Sequence, residues 1–176
     1  MKVLMINGSP RPQGNSELLC QEFRRGAEAA GHQVEEIALR EKVIHPCKAC
    51  YACFRTGSCV QKDAMAEILE KTQGAQVLVW ATPTYFLTMS GQLKVMIDRL
   101  LPKWQDLGGK EAYVIVTGHD GKAGLRRAGE DLEAILAELG SPVRKIIWGE
   151  HAWQPGEVLG TPAMKEAYAA GSQVGK

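Results

Sequence analysis

The chain is poor in what several protein classes require. Its 21 Lys and Arg almost cancel 20 Asp and Glu, for a formal charge of +1. With the two signs interleaved, it offers no basic face for nucleic acid or an anionic membrane. No apolar run reaches membrane-spanning length, and the first residues read directly as a strand with no signal-peptide pattern, so a cytoplasmic protein is expected. Neither common nucleotide fingerprint, G-x-G-x-x-G or G-x-x-x-x-G-K-[ST], occurs. The carboxylates show no pairing that suggests hydrolysis. Cysteine is scarce too, at 5 residues, and four of these fall between positions 47 and 59; that distribution argues against a secreted disulfide framework and for metal or redox chemistry.

What the chain does have is a regular alternation of patterns. Its 176 residues, 45% of them hydrophobic, suit one domain. Lys2–Asn7 is a short apolar run, and it leads through Gly8–Ser16, a loop of Gly, Pro, Ser and Asn, into helical spacing over Glu17–Ala30. Further strands are expected at 33–39, 76–81, 111–117 and 143–148, and further helices at 64–72, 90–101 and 126–139, the second of them ended by Pro102. Asp63 caps the helix at 64, and Cys20 reads as a small core residue. Strict alternation implies right-handed βαβ crossovers. The expected fold class is therefore α/β, a flavodoxin-like three-layer sandwich on a five-stranded parallel sheet of order 2-1-3-4-5. Residues 1–149 would form the domain, with a Cys-rich loop at 45–61, and residues 150–176 a tail that could be an oligomer contact or could cover its own sheet.

In that order the loops 8–16, 82–88 and 117–124 meet at the carboxyl ends of the strands, beside the switch point. The first loop suits an anion: a helix start presents unpaired N–H groups, Gly8 and Gly14 allow close approach, Ser9, Asn15 and Ser16 add donors, and Arg11 adds charge. The alternative is an ordinary turn that Asn15 or Ser16 merely caps. In the second loop Pro83 fixes the chain, Thr84 can donate or accept, and Tyr85 and Phe86 offer surface to a flat ring, unless they simply pack under the next helix. The third loop brings backbone N–H groups near such a ring. Phosphate, linker and heterocycle describe a mononucleotide.

Gly8-Ser-Pro-Arg-x-x-Gly-Asn-Ser16, Pro46-Cys-x-x-Cys-x-x-Cys53, Gly57-x-Cys59, Asp63-x-Met65, Pro83-x-Tyr-Phe86 and Ser90-Gly-Gln-Leu-Lys-x-x-Ile-Asp-Arg99 together resemble the NADPH-dependent FMN reductase superfamily, and within it the iron–sulfur flavoprotein branch. The resemblance spans roughly the first 120 residues, with the motifs in the right order. It implies FMN, with its phosphate on Ser9, Arg11, Gly14, Asn15 and Ser16, and its ring against Pro83, Thr84, Tyr85 and Phe86 and around Thr117, Gly118 and Asp120. His119, Asp120 and Lys122 interrupt the run of glycines usual in the third loop.

Cys47, Cys50, Cys53 and Cys59 are spaced C-x2-C-x2-C-x5-C. Compact all-Cys ligation of this kind is typical of a [4Fe–4S] cluster, and Gly57 permits the bend that returns the fourth thiolate. Four free thiols and a zinc site remain alternatives, although zinc ligands usually come as two separated C-x2-C pairs. The resulting expectation is an FMN-dependent electron-transfer flavoprotein fed by NAD(P)H or a ferredoxin-like donor, in which the cofactor does the chemistry and no catalytic acid or base is needed. His119 and His151 could relay protons but read equally as solvated side chains. A homodimer or homotetramer is implied by the resemblance. The rivals are a cluster-free NAD(P)H-dependent FMN or quinone reductase and a non-enzymatic zinc-binding module.

Overall fold

Five strands and six helices are arranged along residues 1–176 of the computed structural model. The strands are β1 (Lys2–Asn7), β2 (Gln33–Ala38), β3 (Val77–Pro83), β4 (Glu111–Thr117) and β5 (Val143–Gly149). The helices are α1 (Asn15–Ala29), α2 (Ala52–Thr56), α3 (Met65–Gly74), α4 (Gly91–Asp98), α5 (Lys122–Glu138) and α6 (Pro162–Ser172). All strand pairs are parallel and the order is β2-β1-β3-β4-β5, the flavodoxin-like arrangement expected. No helix is long and apolar enough to cross a membrane.

The apolar runs of β1, β3 and β4 are continuous because both faces of the sheet are covered. Side chains alternate between two cores. Leu4, Ile6, Leu78, Trp80, Val114 and Val116 face α3, α4 and α5, through residues such as Ile68, Leu93 and Leu132. Val3, Met5, Val79, Tyr113 and Ile115 face α1 and α6, through Leu19, Phe23 and Ala167. Phe23 meets the Tyr113 ring edge-on, with centroids 5.0 Å apart. Cys20 is buried in the second core, where burial pushes its thiol well above the ordinary value, so it is a packing residue as expected.

The segment after β5 belongs to the same globule. Ala152, Val158, Ala163, Ala167, Ala170 and Val174 join the second core. Helices α1 and α6 cross at two glycines: a Cβ on Gly26 would lie 2.1 Å from the Tyr168 carbonyl oxygen, and one on Gly171 2.1 Å from that of Phe23.

Several boundaries differ from expectation. Helix α5 starts at Lys122 rather than 126, because Gly121 takes an extended N-cap conformation and Gly124 already lies inside the helix, where a Cβ would collide with Asp120. Helix α4 ends at Asp98, and Pro102 sits near the start of a separate 3₁₀ turn at Leu101–Asp106, a position that needs no N–H. The Cys-rich loop contains its own short helix, α2. Asp63 does accept the Met65 N–H, at 3.1 Å, although Ala64 holds the N-cap position of α3.

Candidate functional site

The carboxyl ends of β1, β3 and β4 are held in register by backbone bonds that continue the ladders into the loops: Gly8 N–H to Ala81 O at 2.8 Å and Thr84 N–H to Thr117 O at 2.8 Å. Ser90 links the first two loops. It accepts the Leu93 N–H as N-cap of α4 while its hydroxyl donates to Gly8 O at 2.7 Å. Gly8 has no room for a side chain there, since a Cβ would stand 2.9 Å from both Leu93 Cβ and Ser90 Oγ. The Ser90-Gly-Gln-Leu motif is thus a brace for the loop after β1.

Between these loops lies a cleft of ≈ 370 Å³, within the range of small-ligand pockets. Ser9, Arg11, Gly14, Asn15, Ser16, Pro83, Thr84, Tyr85, Phe86, Thr117, Gly118 and Asp120, all named from the sequence, line it together. Gly14 caps α1, so the first N–H groups of the helix face the cleft without intrahelical acceptors. The Ser16 and Thr117 hydroxyls are bonded to each other at 2.7 Å, joining the first and third loops. Thr84 Oγ1 is buried and has no hydrogen-bond partner, an unsatisfied polar atom at the wall of the cleft where a bound ligand could meet it. A ligand with an anionic end and a polar-edged ring fits this lining.

Leu87, His119, Leu125, Ala152, Trp153 and Pro155 complete the lining. Three of them come from the segment 150–161, which folds over the loop after β1 as a strap. Arg11 Nη1 donates to the Trp153 carbonyl at 2.8 Å, and its guanidinium lies 5.6 Å from the Trp153 ring centroid. The Asn15 amide is engaged at both ends: Nδ2 donates to Gln154 O at 2.8 Å, and Oδ1 accepts the Gly156 N–H at 3.0 Å and the Val158 N–H at 3.3 Å. Asn15 and Arg11 therefore hold the strap, a task the sequence did not suggest. The one available signal was an aromatic residue, Trp153, in a Pro- and Gly-rich stretch after the last strand. His119 packs edge-on against Trp153, with centroids 5.8 Å apart. The Glu157 carboxylate accepts the Trp153 and Gln154 N–H groups at 2.7 and 2.9 Å, and these bonds hold its carboxyl below the usual range.

On the lip of the cleft Tyr85 and Thr88 exchange both backbone hydrogen bonds, leaving Phe86 and Leu87 as the corner of a two-residue turn. Their φ values are +47° and +70°, the left-handed region at both positions that a type I′ turn demands. Phe86 is fully exposed, at 102% of its reference area, so it is not packed under the next helix.

Cys47, Cys50, Cys53 and Cys59 line a second, small cavity of ≈ 30 Å³, with Arg99 in its wall. Between the cysteines Ala49, Tyr51 and Gly57 all have left-handed φ, at +50°, +54° and +68°, so the chain coils back on itself at each step. The donor set is all sulfur, the ligand chemistry that iron–sulfur clusters take, and all four residues line one small space. No three of the thiols converge as a metal-holding group in this arrangement.

Comparison with known proteins places the chain in a family. The family described as NADPH-dependent FMN reductase matches residues 1–154. An iron–sulfur flavoprotein of Methanocaldococcus jannaschii is 40% identical over 102 residues, 58% of this chain and 53% of that protein. A Bacillus subtilis protein named as an NAD(P)H-dependent FMN-containing oxidoreductase is 31% identical over 170 residues, 90% of each chain. The structure of an FMN-dependent NADH-azoreductase from Bacillus anthracis in complex with FMN superposes with a TM-score of 0.77, at 19% identity, over 100% of both chains. The matched region amounts to about half the length of the first iron–sulfur flavoproteins, from 46% to 53%.

Proposed function

The chain belongs to the NADPH-dependent FMN reductase family, and from that premise we propose that it is an electron-transferring FMN oxidoreductase that also carries a [4Fe–4S] cluster. The observation that carries the reading is the cleft in which a helix start, an unsatisfied Thr84 hydroxyl and a solvent-facing aromatic lip are combined.

FMN, when bound, supplies the redox chemistry, taking electrons in pairs and releasing them singly. The protein's own groups do the rest. The first N–H groups of α1, with Ser9 and Ser16, would receive the phosphate, favoured by the positive end of the helix dipole. Thr84 Oγ1 would meet the polar edge of the ring beside Gly118, whose own N–H and carbonyl are bonded to Gly149 and Ala152, while Pro83, Tyr85 and Phe86 exclude water from one of its faces. Arg11 acts through the strap, keeping positive charge beside the phosphate end while its Nη1 is spent on Trp153. No side chain is needed to move a proton to a carbon centre. Cys47, Cys50, Cys53 and Cys59 would hold the cluster, and NAD(P)H or a ferredoxin-like protein would be the donor. Assembly as a homodimer or homotetramer fits this reading, because the cysteine loop is exposed at the surface rather than against its own cleft.

A second reading, a cluster-free NAD(P)H-dependent FMN or quinone reductase, is favoured by the unconverged thiols and by the full-length likeness to the Bacillus subtilis oxidoreductase. A zinc-binding non-enzymatic module finds no support in loops that meet around one cleft. Anaerobic purification in the presence of FMN decides among them. The expected result is about one FMN with about four iron and four sulfide per chain, and NAD(P)H- or ferredoxin-dependent bleaching of the flavin band. FMN without iron establishes the second reading, and failure to retain FMN overturns both.

A further inference from the structure

The loop that carries the four cysteines enters at His45 and leaves at Asp63, and a single side chain from outside it closes its mouth. Arg99, which caps the C-terminal end of α4, and Asp63 are both buried, with 1% of each side chain exposed. Arg99 Nη1 donates to His45 O at 2.5 Å and to Asp63 Oδ2 at 2.7 Å, and Nη2 donates to Asp63 Oδ1 at 3.0 Å. Asp63 Oδ2 also accepts the His45 N–H at 3.0 Å, so entrance, exit and guanidinium form one closed hydrogen-bonded ring. Of the three guanidinium nitrogens only Nε is buried with no acceptor for its N–H. Buried donors are rarely left so. Cys59 lies beside the guanidinium and lines the cysteine cavity with it. A metal-bound thiolate or sulfide is a better acceptor than a thiol, because a hydrogen bond to a charged group is the stronger kind.

We propose that Arg99 is the positioning residue of the cysteine loop: its Nη groups tie the two ends together, and its Nε–H is a hydrogen-bond donor held for a sulfur ligand. The sulfur-donor role rests on the cluster reading of the function; the anchoring role does not. The fork pinned by Asp63 fixes the direction of Nε–H, so the donor cannot swing towards water. Lysine would keep the charge but has neither a fork nor an Nε–H.

The test compares wild type, R99K and D63N, each shown by circular dichroism and FMN retention to be folded. In wild type the cluster is retained. In R99K, iron is lost to a chelator roughly 10- to 100-fold faster, and the cluster's midpoint potential falls, since an N–H···S bond stabilises the more negative reduced state. In the iron-free proteins both variants are cut faster than wild type by trypsin after Lys48 and Arg55, because the mouth of the loop has opened. Wild-type iron retention and potential in R99K overturn the donor role with the cluster reading intact. Absence of iron from wild type overturns that reading and the donor role together. Equal cleavage rates in the iron-free proteins overturn the anchoring role.

Discussion

Asn15 and Gln154 are joined by a 2.8 Å hydrogen bond from the Asn15 amide to the Gln154 carbonyl, which makes a residue at the start of α1 the fastener of a segment that follows the last strand. Asn15→Ala removes this bond and those to Gly156 and Val158, and at about 1 kcal/mol each the loss of stability should be about 1–3 kcal/mol by urea unfolding. Asn15→Asp keeps the acceptor and loses only the donor, so it should be the more stable of the two variants. Its negative charge beside the helix start should nevertheless make it the weaker FMN binder by fluorescence titration.

Acid should loosen the same strap. The Glu157 carboxyl is lowered in the folded protein chiefly by the Gln154 N–H and then by that of Trp153. A lowered folded value means that the contribution is complete above the ordinary glutamate pKa of about 4.3 and is lost as pH falls through the folded value. The Trp153 and Gln154 amide resonances should therefore shift together as pH falls past the ordinary glutamate range and through the lowered folded value. In Glu157→Gln that transition should be absent.

The crossing of α1 and α6 should tolerate no methyl group. Gly26→Ala or Gly171→Ala places Cβ 2.1 Å from a backbone carbonyl oxygen of the other helix, and the helices must part to accept it. Each variant should lose about 1–3 kcal/mol or more in denaturant unfolding. Gly74→Ala, whose Cβ meets nothing, is the control and should be neutral or stabilising.

The turn at the cleft lip should exchange stability for binding. Phe86 and Leu87 both adopt a backbone conformation that favours Asn and Gly. Replacing the pair by Asn-Gly should raise stability by about 1 kcal/mol through relief of this strain. The same change removes the aromatic surface offered to the ring, so FMN should dissociate faster. An unchanged dissociation rate would remove Phe86 from the binding site.

The sheet was legible because its signal is local: Val3 to Ile6, Val77 to Ala81 and Ala112 to Val116 are apolar runs too short for helices and bounded by turn residues. The cleft followed from topology, since any doubly wound sheet with this order brings the loops after β1, β3 and β4 together. What escaped depended on contacts distant in sequence. Nothing near Asn15 announces a partner at Gln154, 139 residues away. Nor does Asp98-Arg99 disclose that the arginine reaches Asp63 across 36 residues. The start of α5 was misplaced for a local reason, because the glycines at 121 and 124 read as loop while only the first of them lies outside the helix.

Strand β5 and helix α6 anchor the two ends of the strap, and Asn15 and Arg11 pin its middle. A segment clamped at three points cannot behave as a flap hinged on one side. Whatever enters the cleft therefore meets the strap as a fixed wall, already in place before the ligand arrives.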